Sequence, residues 1–207
     1  MKKLIKLTFF FSFLMLFVAC GDDDLEPTLA LDKDLSTGIN NAGDLQSVLN
    51  SAYDRMSATG YYGRNQIVMG DVRTDNAYST LNSNRFSDSD MEYSPTGSGP
   101  WTTIYGVIAI CNIVIGVDPA SLEGDQGLIN HTIGQAHAIR ALAHFDLLQD
   151  YGQHFVTGQG GAGALGVPYV KTYKDPANLT PARDTAAQNL GDIAVSYTHL
   201  RAHETKK

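Results

Sequence analysis

Three histidines and an arginine lie in a densely apolar stretch of the chain, and metal binding is the first chemistry that they suggest. His137 and His144 are seven residues apart on one helix face, whereas His131 lies off that face. No glutamate separates histidines four apart, so the H-E-x-x-H signature is absent, and a metal site needs three or four converging donors. We predict no metal site here. The histidines are instead expected to be partly buried and hydrogen-bonded to neighbours, and Arg140 to pair with an acidic residue on an adjacent helix.

Sugar binding is the chemistry predicted for the irregular region between residues 60 and 100. The region shows no sustained period and is rich in Asn, Asp, Ser, Gly and Tyr. Irregular segments of this length within a compact domain are generally functional or disordered, and the tyrosines argue against disorder. An aromatic face can receive the C–H side of a sugar ring while Asn, Asp and Arg bind its hydroxyl groups. The alternative is a structural loop whose polar groups satisfy one another. The predicted ligand contacts are Tyr61, Tyr62, Asp71, Arg73, Asp75, Asn76 and Tyr78.

Other reactive arrangements are absent from the sequence. The run GQGGAG, residues 158–163, fits a dinucleotide-binding pattern, but such a loop must open a helix, and Pro168 soon follows. We interpret it as a flexible loop. Asp88 and Asp90 lie in a serine-rich stretch and are expected to be solvated. No nucleophile elbow, phosphate-binding loop or Cys–His pair is present, so neither catalysis nor a cofactor is predicted.

Composition and charge narrow the possible classes of partner. The chain of 207 residues is 43% hydrophobic and 18% charged, which is typical of a folded globular protein. Its net charge of −7 argues against nucleic acid, because binding phosphates requires a basic face.

The N-terminus has the pattern of an exported lipoprotein. Lysines and then an apolar run too short to span a bilayer predict a signal peptide at residues 1–19. Cys20 follows Ala19 directly where this run ends, which predicts lipidation of Cys20. The alternative is an ordinary buried cysteine near the cleavage site of a soluble protein. Residues 20–38 read as an acidic tether that either resembles the surface-export signal of Bacteroidetes lipoproteins or is only a hydrophilic linker.

Helical periodicity dominates the rest of the chain, so the predicted helices must position the candidate site. Apolar residues recur at helical spacing after Asn41, after Pro100, and again up to Gly152, and a further helix is predicted within residues 184–194. The helix before Gly152 is apolar on nearly every face, so it should be buried between other helices. We therefore predict a mainly α fold of stacked antiparallel helix pairs with long irregular loops.

The last residues do not continue this pattern. The run SYTHLRAHETKK is basic and rich in histidine, and it resembles the translation of a sequencing adapter, although a short basic tail is the alternative. We predict a helical domain at residues 39–194, a non-native tail at 195–207, and a natural chain that continues beyond this one.

Five motifs in the same order resemble the SusD/RagB-like outer-membrane lipoproteins of Bacteroidetes. They are the start CGDDDLEP, the early helix LQSVLNSAYDRM, a W-x-x-x-Y-x-x-I-x-x-x-N helix, an A-x-x-x-R-A-x-x-x-F-x-L…Y-G helix followed by G-x-P, and the segment PARDTAAQNLGDIA. The positions that match the third and fourth motifs are Trp101, Tyr105, Ile108, Asn112, Ala136, Arg140, Ala141, Phe145, Leu147, Tyr151, Gly152, Gly166, Val167 and Pro168.

The resemblance implies a fold with tetratricopeptide-like helix pairs. It also implies a non-catalytic, lipid-anchored protein at the outer membrane that binds a glycan and passes it to a SusC-like TonB-dependent transporter. No ligand residue carries over, because the family's contacts lie on variable loops. Trp101, Arg140 and Gly152 are expected to be structural.

Two other functions remain open at this stage. Helical-repeat scaffolds also stack helix pairs and bind proteins rather than sugars. A lipoprotein hydrolase would need a nucleophile or a pair of carboxylates, and the sequence nominates neither.

Overall fold

The helices of this computed structural model pack around one long central helix. The structure describes residues 38–80, 82, 85–91, 99–154 and 156–204, with side chains as far as residue 199. The unit Ile39–Lys207 contains helices α1 (Ala42–Ser57), α2 (Asn65–Val72), α3 (Trp101–Gly116), α4 (Gln126–Tyr151) and α5 (Ala186–Glu204). The prediction of a mainly α fold is confirmed. The predicted signal peptide, the lipidation of Cys20 and nearly all of the tether fall outside the described residues.

Helix α1 forms where its apolar period predicts it. The side chain of Asn41 accepts a hydrogen bond from the backbone N–H of Asp44, which satisfies one of the free donors at the helix start. Leu45, Leu49 and Ala52 are fully buried and lie on one face. The helix ends at Ser57, and Ala58 is its C-cap.

Helix α3 carries the apolar face that meets α1 and α4. Pro100 is the N-cap of this helix, one position before the first helical residue, where its missing N–H is of no consequence. Ile104, Ile108 and Cys111 are fully buried in the core. Burial raises the pKa of the Cys111 thiol to about 12, so this cysteine behaves as a small apolar side chain.

Helix α4 is the centre of the fold, in contact with α1, α3 and α5. Asp125 caps its start by accepting a hydrogen bond from the backbone N–H of Gly127 at 2.7 Å. Most of its residues are buried, and they lie on every face of the helix. This confirms the expectation that the helix is buried between other helices. The helix ends at Gly152, whose N–H donates to the carbonyl of Leu148. A Cβ at Gly152 would lie 2.5 Å from that carbonyl oxygen, so close approach of the backbone explains the glycine.

Helix α5 begins with a capping box, and its sequence signature is a threonine followed three residues later by a glutamine. The hydroxyl of Thr185 accepts from the backbone N–H of Gln188, and the side-chain oxygen of Gln188 accepts from the backbone N–H of Thr185. The helix continues past residue 194 to Glu204. The proposed foreign origin of residues 195–207 stays a prediction. Among the described helices, none combines the length and the apolar character that crossing a bilayer requires.

An extended segment that we call the strap, residues 165–171, runs between α3, α4 and α5 and is largely buried. At one end of the strap, the side chain of Asn189 in α5 hydrogen-bonds both the N–H and the carbonyl of Val167. Its side-chain oxygen accepts from the Val167 N–H at 2.7 Å, and its amide donates to the Val167 carbonyl at 3.0 Å. Asp184 accepts from the N–H of Tyr169. Side chains thus take the place of a neighbouring strand, which keeps buried backbone groups of the strap satisfied.

The other contacts of the strap come from α3 and α4. The hydroxyl of Tyr105 donates to the carbonyl of Pro168, and the amide of Asn112 donates to the carbonyl of Val170. Arg140 donates to the carbonyl of Lys171. The conspicuous polar residues of three motifs therefore share one structural task, which is to bind this single extended segment.

Replacing Gly166 with alanine is expected to lower the free energy of unfolding by about 2 kcal/mol, because a Cβ there creates a clash in a packed site. That Cβ would lie 2.0 Å from the side-chain oxygen of Asn189 and would displace it from Val167. Urea denaturation followed by circular dichroism measures the effect. Gly191→Ala is the matched control: a Cβ there has no heavy atom within 4 Å in the structure, so greater helix propensity should stabilise α5 by up to about 1 kcal/mol. Equal losses in both variants would contradict this role of Gly166.

Candidate functional site

The irregular region between residues 60 and 100 contains a helix that we did not predict from the sequence. Helix α2 has eight residues, and only Met69 and Val72 of it are buried. Its sequence, NQIVMGDV, is too short to show a helical period. The expectation of a wholly irregular region was therefore wrong for these residues. The helix places Asp71 and Arg73 at its C-terminal end, where Asp75, Asn76 and Tyr78 follow.

Two tyrosines fix the start of this region to α4. The hydroxyl of Tyr61 donates to Asp146 at 2.5 Å, and the hydroxyl of Tyr62 donates to the same carboxylate oxygen at 2.8 Å. Burial raises the pKa of Asp146, and the two hydroxyl donors oppose that rise. The pKa values of both tyrosines are raised, first by burial and then by the hydrogen bond to Asp146. Both hydroxyl groups therefore stay protonated and remain donors.

Arg73 fixes the end of α2 to the same helix, one turn further along. Its guanidinium lies 3.3 Å from the carboxylate of Asp150, and the side chains of the pair are only 6% and 15% exposed. Burial raises the pKa of Asp150, whereas Gln66 and Arg73 act to lower it. Asp146 and Asp150 are four residues apart, so they lie on the same face of α4. Neither acid was among the predicted site residues, although aspartates in a largely buried helix need partners from other parts of the chain.

The seven predicted ligand contacts separate into two groups in the structure. Tyr61 has no exposed surface and Arg73 has little, so the prediction that these two touch a ligand needs correction: both are bound inward to α4. Tyr62 is half-buried. The side chain of Tyr78 is 77% exposed. We call the four outward-facing residues the exposed quartet: Asp71, Asp75, Asn76 and Tyr78.

The backbone around the exposed quartet forms a turn that closes on α2. The N–H of Ala77 donates to the carbonyl of Asp71 at 3.2 Å, and the N–H of Met91 donates to the carbonyl of Val72 at 3.0 Å. Arg64 of the segment before α2 lies over the ring of Phe86. Phe86 and Met91 both have positive φ angles, 59° and 54°, a conformation that non-glycine residues adopt at some energetic cost. Strained backbone of this kind is common at functional sites.

The aspartates of the serine-rich stretch differ in their surroundings. Asp88 is exposed, as expected for a solvated residue. Asp90 is only partly exposed, and one of its carboxylate oxygens is buried. The expectation that both would be solvated was therefore wrong for Asp90.

The three histidines of α4 are placed as helix residues with separate surroundings. Within the ranges that the structure describes, no three His, Cys, Asp or Glu side chains are grouped as a metal site requires. His144 is fully buried; its Nδ1–H donates to the carbonyl of Arg140 and its Nε2 accepts from the N–H of Val170. Burial lowers the pKa of His144 to about 3, so the ring is neutral at physiological pH. His137 is also buried, whereas His131 is exposed.

Arg140 has a structural role, but its partner differs from the prediction. The guanidinium donates to the side-chain oxygen of Asn112 on α3 at 2.9 Å and to the carbonyl of Lys171 at 3.2 Å. The expected acidic partner on the adjacent helix is therefore replaced by an amide and a backbone carbonyl. Burial lowers the pKa of Arg140. The charge of Asp192 on α5 acts against this decrease, so an acid on a neighbouring helix favours the charged guanidinium without a direct hydrogen bond to it.

The glycine run at residues 158–163 does not open a helix longer than one turn. A 3-10 turn spans Gly161–Gly163, and the chain then enters the strap. Positive φ angles at Gly158, Gly160 and Gly161 explain the glycines. A helix N-terminus that could receive a phosphate does not follow this loop, which removes the basis for a dinucleotide site.

Comparisons with known proteins agree with one another. The SusD-like_3 family model, described as starch-binding and associating with the outer membrane, matches residues 25–199. No curated protein matches the sequence. A SusD superfamily protein of Bacteroides vulgatus ATCC 8482 has the same fold with a TM-score of 0.70 and 24% identity over 82% of this chain and 39% of its own.

Two further solved structures are similar. One is a SusD superfamily protein of Bacteroides thetaiotaomicron VPI-5482, with a TM-score of 0.67 and 26% identity over 79% of this chain and 37% of its own. The other is a Bacteroides vulgatus ATCC 8482 protein named for sugar binding, with a TM-score of 0.68 and 27% identity over 80% of this chain and 38% of its own. The present chain spans well under half the length of these proteins.

Proposed function

The chain belongs to the SusD-like family, and from this premise we propose that it is part of a lipoprotein that binds oligosaccharides at the cell surface without catalysis. The observation that carries the proposal is the exposed quartet, an accessible tyrosine ring a few residues along the chain from exposed carboxylate and amide groups. A sugar could lay its C–H face on the ring of Tyr78 while Asp75 and Asn76 receive or donate hydrogen bonds to its hydroxyl groups.

The wider role that we propose follows from the family. Cys20 would carry the lipid anchor, and residues 20–38 would hold the helical domain away from the outer membrane. More than one acyl chain is needed for stable attachment. The domain would pass its glycan to a SusC-like TonB-dependent transporter. A scaffold that binds only the transporter is the competing function, and it predicts transporter binding without affinity for sugars.

Replacing Tyr78 with alanine is expected to weaken oligosaccharide binding by at least about tenfold, equivalent to about 1.4 kcal/mol, without changing stability. The ring is mostly exposed, so its removal leaves the core intact. A glycan array of starch-derived and other oligosaccharides tests the chain first, and calorimetric titration with maltoheptaose then compares the variants.

Tyr173→Ala is the matched control for this experiment. Tyr173 is also an exposed tyrosine in a loop, 38% accessible, but it lies beyond the strap and outside the quartet. Its removal should leave the affinity unchanged. Equal affinity of the Tyr78 variant and the wild type would place the sugar elsewhere. If the wild type binds no glycan on the array but retains the transporter in a pull-down, the scaffold function replaces this proposal.

A further inference from the structure

Within its described residues, the irregular region between residues 60 and 100 is attached to one short stretch of α4 at its start, near its middle and at its end. At its start, Tyr61 and Tyr62 donate to Asp146. Near its middle, Arg73 binds Asp150, and the side chain of Gln66 also hydrogen-bonds that carboxylate. At its end, the backbone N–H of Trp101 donates to the hydroxyl of Tyr151 at 3.0 Å. The last turns of α4 thus hold the entry, the middle and the exit of the region that carries the exposed quartet.

We propose that Arg73 and Asp150 are positioning residues for ligand binding, which set the place of the exposed quartet through an ion pair and do not contact the sugar. The inference rests on the proposed function for its ligand. It assigns Arg73 a task other than the direct contact that the sequence suggested. It also assigns a task to Asp150, which was not among the residues predicted from the sequence.

The position of Arg73 in the chain supports this role. Arg73 is the C-cap of α2, and its N–H donates to the carbonyl of Met69. The quartet lies on either side of it, with Asp71 two residues before and Tyr78 five residues after. The backbone N–H of Met91 also donates to the carbonyl of Val72, the residue directly before Arg73. Movement of Arg73 would therefore move both sides of the turn, the residues that follow α2 and the residues around Met91 that return to it.

The middle attachment also differs in kind from the other two. The first and last attachments lie beside structure that is fixed in other ways, since Tyr61 belongs to the core and Trp101 begins α3. Between them, few side chains are buried among the described residues of the range 74–91, which includes most of the quartet. A shielded ion pair is weakened little by salt and is sensitive to the loss of either partner, because the other charge is then left buried. The ion pair is thus the attachment on which the order of the quartet depends most.

Hydrogen exchange measured by mass spectrometry tests the proposal on the whole chain. The amides of Ala77 and Met91 are reporters, because each donates a hydrogen bond that exists only while the turn is closed. In Arg73→Ala, exchange of peptides covering 74–91 should become at least about tenfold faster, with exchange in α3 and α4 unchanged, because local opening alone exposes these amides. The affinity for maltoheptaose should fall by a similar factor. Arg73→Lys keeps the charge and should recover part of both effects.

The matched control is Lys171→Ala, which breaks the exposed ion pair of Lys171 with Asp192 at 2.8 Å and should change neither measurement. If Arg73→Ala does not fold, Asp150→Asn decides the matter with a side chain of the same shape. Unchanged exchange in a folded variant overturns the proposal. Loss of maltoheptaose affinity without faster exchange also overturns it, because Arg73 would then contact the sugar directly. If the wild type binds no sugar, the proposed function fails, while the exchange result still decides the positioning role.

Discussion

Replacing Asp146 with alanine is expected to lower the free energy of unfolding by about 3 kcal/mol, among the largest losses expected for a single substitution in this chain. The carboxylate accepts from two tyrosine hydroxyls, and Tyr61 has no exposed surface. Without Asp146 the buried hydroxyl of Tyr61 loses its carboxylate acceptor, whereas Tyr62 is partly exposed and can turn to water. Urea denaturation measures the loss, and Asp54→Ala, which removes an exposed acid on α1, should change stability by no more than about 0.5 kcal/mol.

A double-mutant cycle isolates the hydrogen bond from the loss of packing. Tyr61→Phe removes the stranded hydroxyl, so adding it to Asp146→Ala should cost less than the sum of the two single changes. Asp146→Asn keeps one acceptor oxygen, which can receive both hydroxyls as one carboxylate oxygen does now, and should lose only about 1 kcal/mol, because a neutral acceptor forms weaker hydrogen bonds. Strict additivity in the cycle would mean that the Tyr61–Asp146 contact contributes nothing, and the attachment of the irregular region would need another explanation.

The long helices could be predicted from the sequence because their own residues specify them. Helices α1 and α3 repeat apolar residues at helical spacing over 16 residues each, and Asn41 supplies the cap of the first. Helix α2 has eight residues and no such repeat, and contacts with α4 hold it in place. Tertiary contacts thus decide the structure of short segments, and a single sequence does not reveal those contacts.

The strap shows a second limit of prediction from one sequence. The motifs contained Tyr105, Asn112 and Arg140, and the Gly166–Val167–Pro168 run, but nothing in their spacing shows that the first three bind the backbone around the last. A polar residue in an apolar helix indicates only that it needs a partner. Its identity depends on how the helices pack, which is why an acidic partner was expected for Arg140 where the structure has Asn112.

The sequence nominates a region for the candidate site, and ligand binding there stays a prediction, whereas the direction of its side chains was not predictable. Composition identified the region of tyrosines, aspartates and asparagine between residues 60 and 100. It could not show that Tyr61 and Arg73 turn inward while Tyr78 and Asp75 turn outward, because all four are amphipathic or polar types that occur in either place. The acids of α4 make the difference, and they lie more than 70 residues away in sequence.

Replacing Arg140 with alanine is expected to lower the free energy of unfolding by about 3 kcal/mol without altering the sugar affinity of the folded molecules. The guanidinium joins α4 to α3 through Asn112 and to the strap through Lys171, so its removal leaves a cavity and two acceptors without a donor. Arg140→Lys keeps the charge but has no planar fork to reach both acceptors, and it should lose about half as much.

Arg140 is well suited to separate stability from binding because it lies far along α4 from the residues that hold the quartet. Asp146 and Asp150 are nearly two and nearly three turns away, and neither is among its hydrogen-bond partners. Urea denaturation gives the stability of each variant, and titration with maltoheptaose at a temperature where the variant is folded gives the affinity. Because the strap and the quartet are held by different parts of α4, we expect stability to fall and affinity to stay the same. An Arg140→Ala variant that is as stable as the wild type but binds maltoheptaose more weakly would contradict the division of α4 into a strap-binding part and a site-holding part.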